Sequence, residues 1–256
     1  MAFRFVNKDK EYVKQIQAAA GCKADGICGP NTLKAFEDLH CSSVIQHKGK
    51  LVPIDFSGTI RHNMSLDTLP NGKQNWYTRK TPIDNIVVHW GGLNNNHCFR
   101  VFYSVDNTSC TTSHFLIGRN TDNNELEVWQ CLDTAQVAYH AGKMNAQSVG
   151  MDICMHPDTK YKKHTSKHYE YSVMENNTGR GPKECVDIDP ELAEFAREFI
   201  LALRVLLELD DKPVCPDDKV YDLEEVKQFS VVGHHNVSAK KWDVAPWADK
   251  LYRDCD

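Results

Sequence analysis

No window of the 256 residues holds the roughly 18 uninterrupted apolar side chains that a bilayer crossing demands, so a helical membrane span is excluded. The opening stretch from Met1 to Lys8 lacks the apolar core of a secretory signal, so the expectation is synthesis in a cytoplasm without a signal peptide. Basic charge is not in excess either. Lys and Arg number 30 against 35 Asp and Glu, a formal net charge of -5, which argues against a nucleic-acid partner. The ten cysteines form no C-x-x-C pair, which removes a zinc knuckle or dithiol redox motif, and no H-E-x-x-H string occurs, which removes the commonest zinc peptidase. Most of the cysteines are expected as small buried hydrophobes, with Cys22 and Cys28 or Cys41 the nearest candidates for a bond.

What remains is a chain with 41% hydrophobic residues, enough for one large domain or for a small module followed by a larger one. The apolar spacing Tyr12, Val13, Ile16, Ala19, Ala20 predicts a short helix stopped at Gly21, and Pro30 opens a second helix with Leu33, Phe36 and Leu39 on one face. From His47 to Lys80 no period is sustained, and Leu69-Pro70-Asn71-Gly72 is a turn signal. Beyond Pro82, short β-branched runs predict strands at 86–89, 115–118, 126–131 and 149–153. A long helix follows Asp189-Pro190, with Leu192, Phe195, Phe199, Ala202, Leu206 and Leu209 on its buried face. The polar stretch 156–185 is read as a solvated surface insertion. The expected organisation is therefore a helical module at 1–48, a linker segment at 49–80 and a catalytic domain at 81–256. Its fold class is α/β, a mixed central β-sheet flanked by helices and preceded by a small all-α module.

Chemistry gathers in two places. Ile86-Val87-Val88 ends in His89, and Val231-Val232-Gly233 ends in His234, so both imidazoles lie where an extended run stops, the end of a sheet at which sites tend to form. Lys241 and Asp243 follow on one short loop. Two neutral imidazoles and a carboxylate would hold a single tetrahedral Zn²⁺ and leave its fourth position open, the pattern of a catalytic rather than a structural ion. Of His234 and His235, alternation along an extended chain would send only one inward. The histidines 40, 47, 62, 97, 156, 164 and 168 have polar or loop neighbours and are expected to face solvent.

The order of Val87-Val88-His89-Trp90, Ser113-His114-Phe115, Tyr139-His140-Ala141-Gly142, Ser148-Val149-Gly150-Met151-Asp152 and Gly233-His234 with Lys241 and Asp243 resembles the type 2 zinc-dependent N-acetylmuramoyl-L-alanine amidases. That family spans phage endolysins, recycling amidases and peptidoglycan recognition proteins. The resemblance implies His89, His234 and Asp243 as zinc ligands and Lys241 as the group that meets the oxyanion. Asp152 stands where relatives carry a glutamate that handles the water proton, and His114, His140 and Trp90 line the groove or bond behind a ligand. The ending Lys241-Trp242-Asp243-Val244-Ala245-Pro246 departs from the family's Lys-Thr-Asp-Pro-Gly. Residues Asp25-Gly26-Ile27-Cys28-Gly29-Pro30-Asn31-Thr32 resemble the turn of a small helical peptidoglycan-binding domain, carried here by Asp25, Gly26, Gly29, Pro30 and Thr32.

Together these imply a modular, monomeric phage endolysin that needs one Zn²⁺, acts on bacterial peptidoglycan without entering the membrane, and reaches the wall from the host cytoplasm through a permeabilised membrane. Two other readings are a non-catalytic peptidoglycan recognition protein and a cytosolic recycling amidase. The first typically lacks a metal ligand, and the second has no use for a wall-binding module.

Overall fold

A computed structural model describes residue 14 and residues 44–62, 69 and 71–254. Of the expected module at 1–48, residues 1–43 other than Lys14, and with them Asp25, Gly26, Gly29, Pro30 and Thr32, lie outside the described residues; Lys14 is helical. Strands β1 (Val44–His47) and β2 (Lys50–Pro53) form a hairpin, followed by β3 (Thr59–His62), β4 (Trp76–Thr78) and β5 (Asn85–Trp90). Helix α1 (Asn95–Phe102) leads to β6 (Phe115–Arg119), β7 (Leu126–Gln130), β8 (Gln136–Ala138) and β9 (Ser148–Ile153). Then come α2 (Lys162–Thr165), the hairpin β10 (Val173–Glu175) and β11 (Glu184–Val186), and the long α3 (Pro190–Leu206). Helix α4 (Leu223–Val226), β12 (Val231–Gly233) and α5 (His234–Val237) complete the labelled elements.

Six strands make the central sheet in the order β12-β5-β9-β6-β7-β3. The first four run parallel, β7 turns back antiparallel to β6, and β3 runs parallel to β7. The sheet is mixed, as expected. Strands β5 and β9 are fully internal, and the side chains on both of their faces are nearly all buried, which is why they read as continuous apolar runs rather than alternating ones. Helix α3 begins where Asp189 accepts the Leu192 N–H at 3.0 Å and Pro190 takes the first turn. Its stripe of Leu192, Ala196, Phe199 and Leu203 covers one sheet face, with Phe199 edge-on to Phe115 and Phe56 at 5.1 and 5.2 Å. Burying a phenylalanine so completely contributes about 1.5–3 kcal/mol by transfer alone. Among the described residues no helix is long and apolar enough to cross a membrane.

The segment 49–80, expected as a linker, instead supplies β2, β3 and β4, and β3 closes one edge of the central sheet. Likewise β1, inside the range assigned to the helical module, pairs with β2. These strands have only three or four residues each, too few to sustain a visible period. His62, expected in solvent, is buried because it follows Ile60 by two along β3 and shares its inward face. The described cysteines are all free, and Cys98, Cys131, Cys154, Cys185 and Cys215 are buried as expected, whereas Cys110 is partly exposed.

Candidate metal centre

The register of three parallel strands sets the site. His89 is paired with Asp152 across β5 and β9, and Gly233 lies opposite Val88, so His234 emerges one residue later at the level of His89. All three positions are thus carried at the carboxyl ends of adjacent strands. The chain does not continue extended after Gly233. Asn236 Oδ1 accepts the Gly233 N–H at 2.9 Å and the backbone winds into α5. The expected alternation therefore does not apply, and both histidines are buried. His234 faces His89, while His235 turns away to Asp218, its Nε2 3.1 Å from Oδ1.

Among the described residues, His89, His234 and Asp243 each offer a donor atom within 4.8 Å of the others. The Nδ1 atoms of His89 and His234 are 3.0 Å apart, and Asp243 Oδ2 is 3.3 Å from the first and 3.1 Å from the second. The hydrogen bonds behind His89 fix its tautomer. Ser148 Oγ donates to the Met144 carbonyl at 2.7 Å, so it accepts from His140 Nε2 at 3.1 Å. His140 Nδ1 is then a lone pair, which accepts the His89 Nε2–H at 3.0 Å. Burial and the neighbouring imidazoles hold His140 well below the ordinary histidine range, so it stays neutral. His89 consequently presents a bare Nδ1 lone pair to His234 and Asp243. Burial alone would raise the Asp243 carboxyl, but its bond to His234 holds it well below the usual carboxylate range. An anionic oxygen and an imidazole lone pair converging with a second imidazole, all buried, is an arrangement that a cation relieves.

A small divalent ion fits this donor set. Tetrahedral ligands about 2.0–2.1 Å from an ion are separated from each other by about 3.3 Å, close to the spacing between these three atoms. Beyond them lies a cavity of about 560 Å³, also bordered by Lys241 and Asp152. Burial, with the Asp243 charge adding to it, pushes the Asp152 carboxyl up to about 7. The Lys241 side chain is exposed along the rim.

The other expected site residues divide. His140 stands directly behind His89, and Trp90 lines the cavity. His114 borders neither the cavity nor the donor cluster. Its Nδ1 accepts the Gly150 N–H at 3.0 Å and its Nε2–H donates to the Gln136 carbonyl at 2.9 Å, which ties the residue before β6 to both β9 and β8. Burial, helped by the Arg79 charge, lowers its pKa to about 3. Arg79 was not legible as important: its guanidinium ties the carbonyls of Thr134, Ala146, Gln136 and Ser148 together. His156, expected in solvent, is buried against Trp90 with ring centroids 4.2 Å apart, and Tyr161 contacts it with centroids 3.8 Å apart. The insertion thus reaches the cavity, a contact that no local pattern announces. It also braces the ligand loop. Gly181 leaves no room for a Cβ, which would lie 2.6 Å from the Trp242 ring, and Arg180 Nη1 donates to the His235 carbonyl at 2.6 Å.

Fold and site together define a mixed-sheet α/β domain whose buried His-His-Asp cluster opens on a cavity of about 560 Å³. Residues 79–176 match the family model Amidase_2, described as N-acetylmuramoyl-L-alanine amidase. The matched residues include His89, His140 and Asp152, while His234, Lys241 and Asp243 lie beyond them. No curated protein matches the sequence. Among solved structures, the chain is similar to the Ph2119 endolysin from Thermus scotoductus MAT2119 bacteriophage Ph2119. The identity is 15% and the TM-score 0.38, over 72% of this chain and 94% of that one, a likeness too distant to bear on mechanism.

Proposed function

We propose that this protein is a zinc-dependent N-acetylmuramoyl-L-alanine amidase that cuts the amide between the lactyl group of N-acetylmuramic acid and L-alanine, releasing stem peptides from peptidoglycan as a modular endolysin does. The observation that carries the reading is the chain from Met144 through Ser148 and His140 to His89, which leaves an Nδ1 lone pair aimed at His234 and Asp243. Zn²⁺ held by these three side chains would polarise the amide carbonyl and bring the pKa of a coordinated water toward about 7. Asp152, buried beside the ligands with its carboxyl pushed up by burial, accepts the proton of the attacking water and returns it to the departing amine nitrogen. Lys241 carries its ammonium at the cavity rim, where it meets the charge that builds on the carbonyl oxygen in the transition state. His140 borders the cavity and holds the His89 ring in its binding tautomer. Residues 1–48 would anchor the enzyme to insoluble wall and raise its local concentration there.

Mass spectrometry of digested peptidoglycan tests this. The expected products are stem peptides with a free L-alanine amino terminus, formed only when zinc is supplied. New reducing sugar ends would overturn the assignment, and a zinc-loaded protein that binds peptidoglycan without cleaving it would make it a recognition protein. Deleting residues 1–41 should weaken lysis of whole sacculi far more than cleavage of a soluble muropeptide; equal losses would remove the anchoring role.

A further inference from the structure

Two cavities meet at His234 of the metal cluster. One, of about 560 Å³, is walled by Trp90, His156, Tyr161, Val101 and Phe102. The other, of about 720 Å³, carries Lys143, Asp222 and Glu224 on its rim. His234 borders both, so a molecule whose scissile bond lies at the cluster has one part in each.

The first wall is a cluster of rings in mutual contact. Trp90 and His156 are 4.2 Å apart and tilted by 50°, His156 and Tyr161 are 3.8 Å apart and tilted by 40°, and Trp242 flanks Trp90 at 6.3 Å. Tyr161 is 36% exposed, so part of its ring is open to contact. The turn that holds it is fixed at both ends. Asp158 accepts the Lys160 N–H at 3.0 Å, and the Val186 N–H donates to the Pro157 carbonyl at 2.7 Å, pinning the start of the insertion to β11. His156 Nδ1 accepts the Asp158 N–H at 3.2 Å, which orients the middle ring. A pyranose offers a face of C–H groups that packs on aromatic faces, with its hydroxyls left at the edge for water. A stem peptide instead presents carboxylates and an ammonium, which the lysine and acidic rim of the second cavity can meet.

We propose that the insertion at 156–164, together with Trp90, forms a glycan subsite, so that the sugar chain of the substrate lies along the Trp90-His156-Tyr161 cluster and the stem peptide lies toward Lys143. This rests on the amidase reading above, and it gives the 156–185 insertion a task in substrate choice. One good aromatic contact is worth about 0.5–1.5 kcal/mol beyond area burial, roughly a two- to tenfold change in affinity.

The test uses the full zinc-loaded chain and two soluble substrates with the same stem peptide, one on a disaccharide and one on a bare lactyl group. The wild type should favour the disaccharide substrate in kcat/KM, and Tyr161→Ala should shrink that preference by roughly three- to tenfold. An unchanged preference in Tyr161→Ala overturns the subsite. So does a Tyr161→Ala variant that loses discrimination between long and short stems instead, because the arm would then hold peptide. A second measurement does not need catalysis: a stem-free glycan oligomer, added to the wild type, should change tryptophan fluorescence, and the response should weaken in Tyr161→Ala. If neither substrate is cleaved but this binding is seen, the subsite stands and the amidase reading falls. If the wild type shows no glycan binding and no sugar preference, the subsite is wrong whatever the chain cleaves.

Discussion

Replacing His140 with phenylalanine should weaken zinc binding without unfolding the protein, and the size of the effect follows from the bonds behind His89. His89 is 5% exposed, so its Nε2–H has no water to turn to once the His140 acceptor is gone. Leaving such a donor unpaired costs about 1–3 kcal/mol. The metal-free protein can avoid that cost by moving the proton to Nδ1, where Asp243 Oδ2 at 3.3 Å accepts it, but the ion cannot bind that tautomer. The difference therefore falls on metal affinity, and partners of this kind typically matter by about tenfold to a hundredfold, or about 1.4–2.7 kcal/mol. Ser148→Ala breaks the next link, between Ser148 Oγ and His140 Nε2, and should cost less because His140 keeps its place. Competition against a chelating dye at fixed pH measures both, with circular dichroism as the check on folding. A His140→Phe variant that binds zinc as tightly as the wild type, or a Ser148→Ala loss larger than that of His140→Phe, would refute the reasoning.

Lys241→Ala should lower kcat by about a hundredfold to a thousandfold with zinc affinity unchanged, read from steady-state kinetics beside metal titration; parallel losses in both would make Lys241 structural. Gly181→Ala puts a methyl group 2.6 Å from the Trp242 ring at a φ of +77°, and displacement of Trp242 beside Asp243 should weaken zinc binding several-fold, measured with the same dye. Phe199→Ala should destabilise the fold by about 3–5 kcal/mol, seen as a lower urea midpoint. Acid should also destabilise it. Burial lowers His62, His114 and His156 to about 4, 3 and 4, so below about 6.5 the unfolded chain takes up protons that the folded chain refuses, and stability falls as pH drops toward 4. Over the step from pH 6.5 to 5, His62 alone accounts for about 2 kcal/mol. The drop in urea-derived stability over that step should be smaller in His62→Gln, and an equal drop in both proteins would exclude it as a cause.

The elements visible in the sequence were those whose burial is nearly complete. Strands β5, β6, β7 and β9 and helix α3 stand within a residue or three of their expected bounds, because an internal strand or a helix under a sheet cannot tolerate polar side chains on its covered side. Strand β3 escaped notice: Thr59-Ile60-Arg61-His62 mixes polar and apolar residues at the sheet edge, and Arg61 is paired with Glu127 at 2.8 Å on the neighbouring strand. The candidate ligands were legible because His89 and His234 each close an apolar run. His140, expected from the resemblance in the groove or behind a ligand, does bond to His89 across 51 positions. The contact of His156 with Trp90 across 66 positions was not expected, because packing sets it and neither periodicity nor spacing encodes it. The reading of His234 and His235 failed for a local reason, since Gly233 and Asn236 convert the expected extended segment into a helical turn.

The central claim is that one divalent ion sits between His89, His234 and Asp243 with a position left for solvent. Anomalous scattering at the zinc absorption edge from crystals of the zinc-loaded protein tests it most directly. A single peak is expected about 2.0–2.2 Å from Nδ1 of His89, Nδ1 of His234 and a carboxylate oxygen of Asp243. A peak bound through Nε2 of His89, a peak elsewhere in the chain, or no peak at all would contradict it.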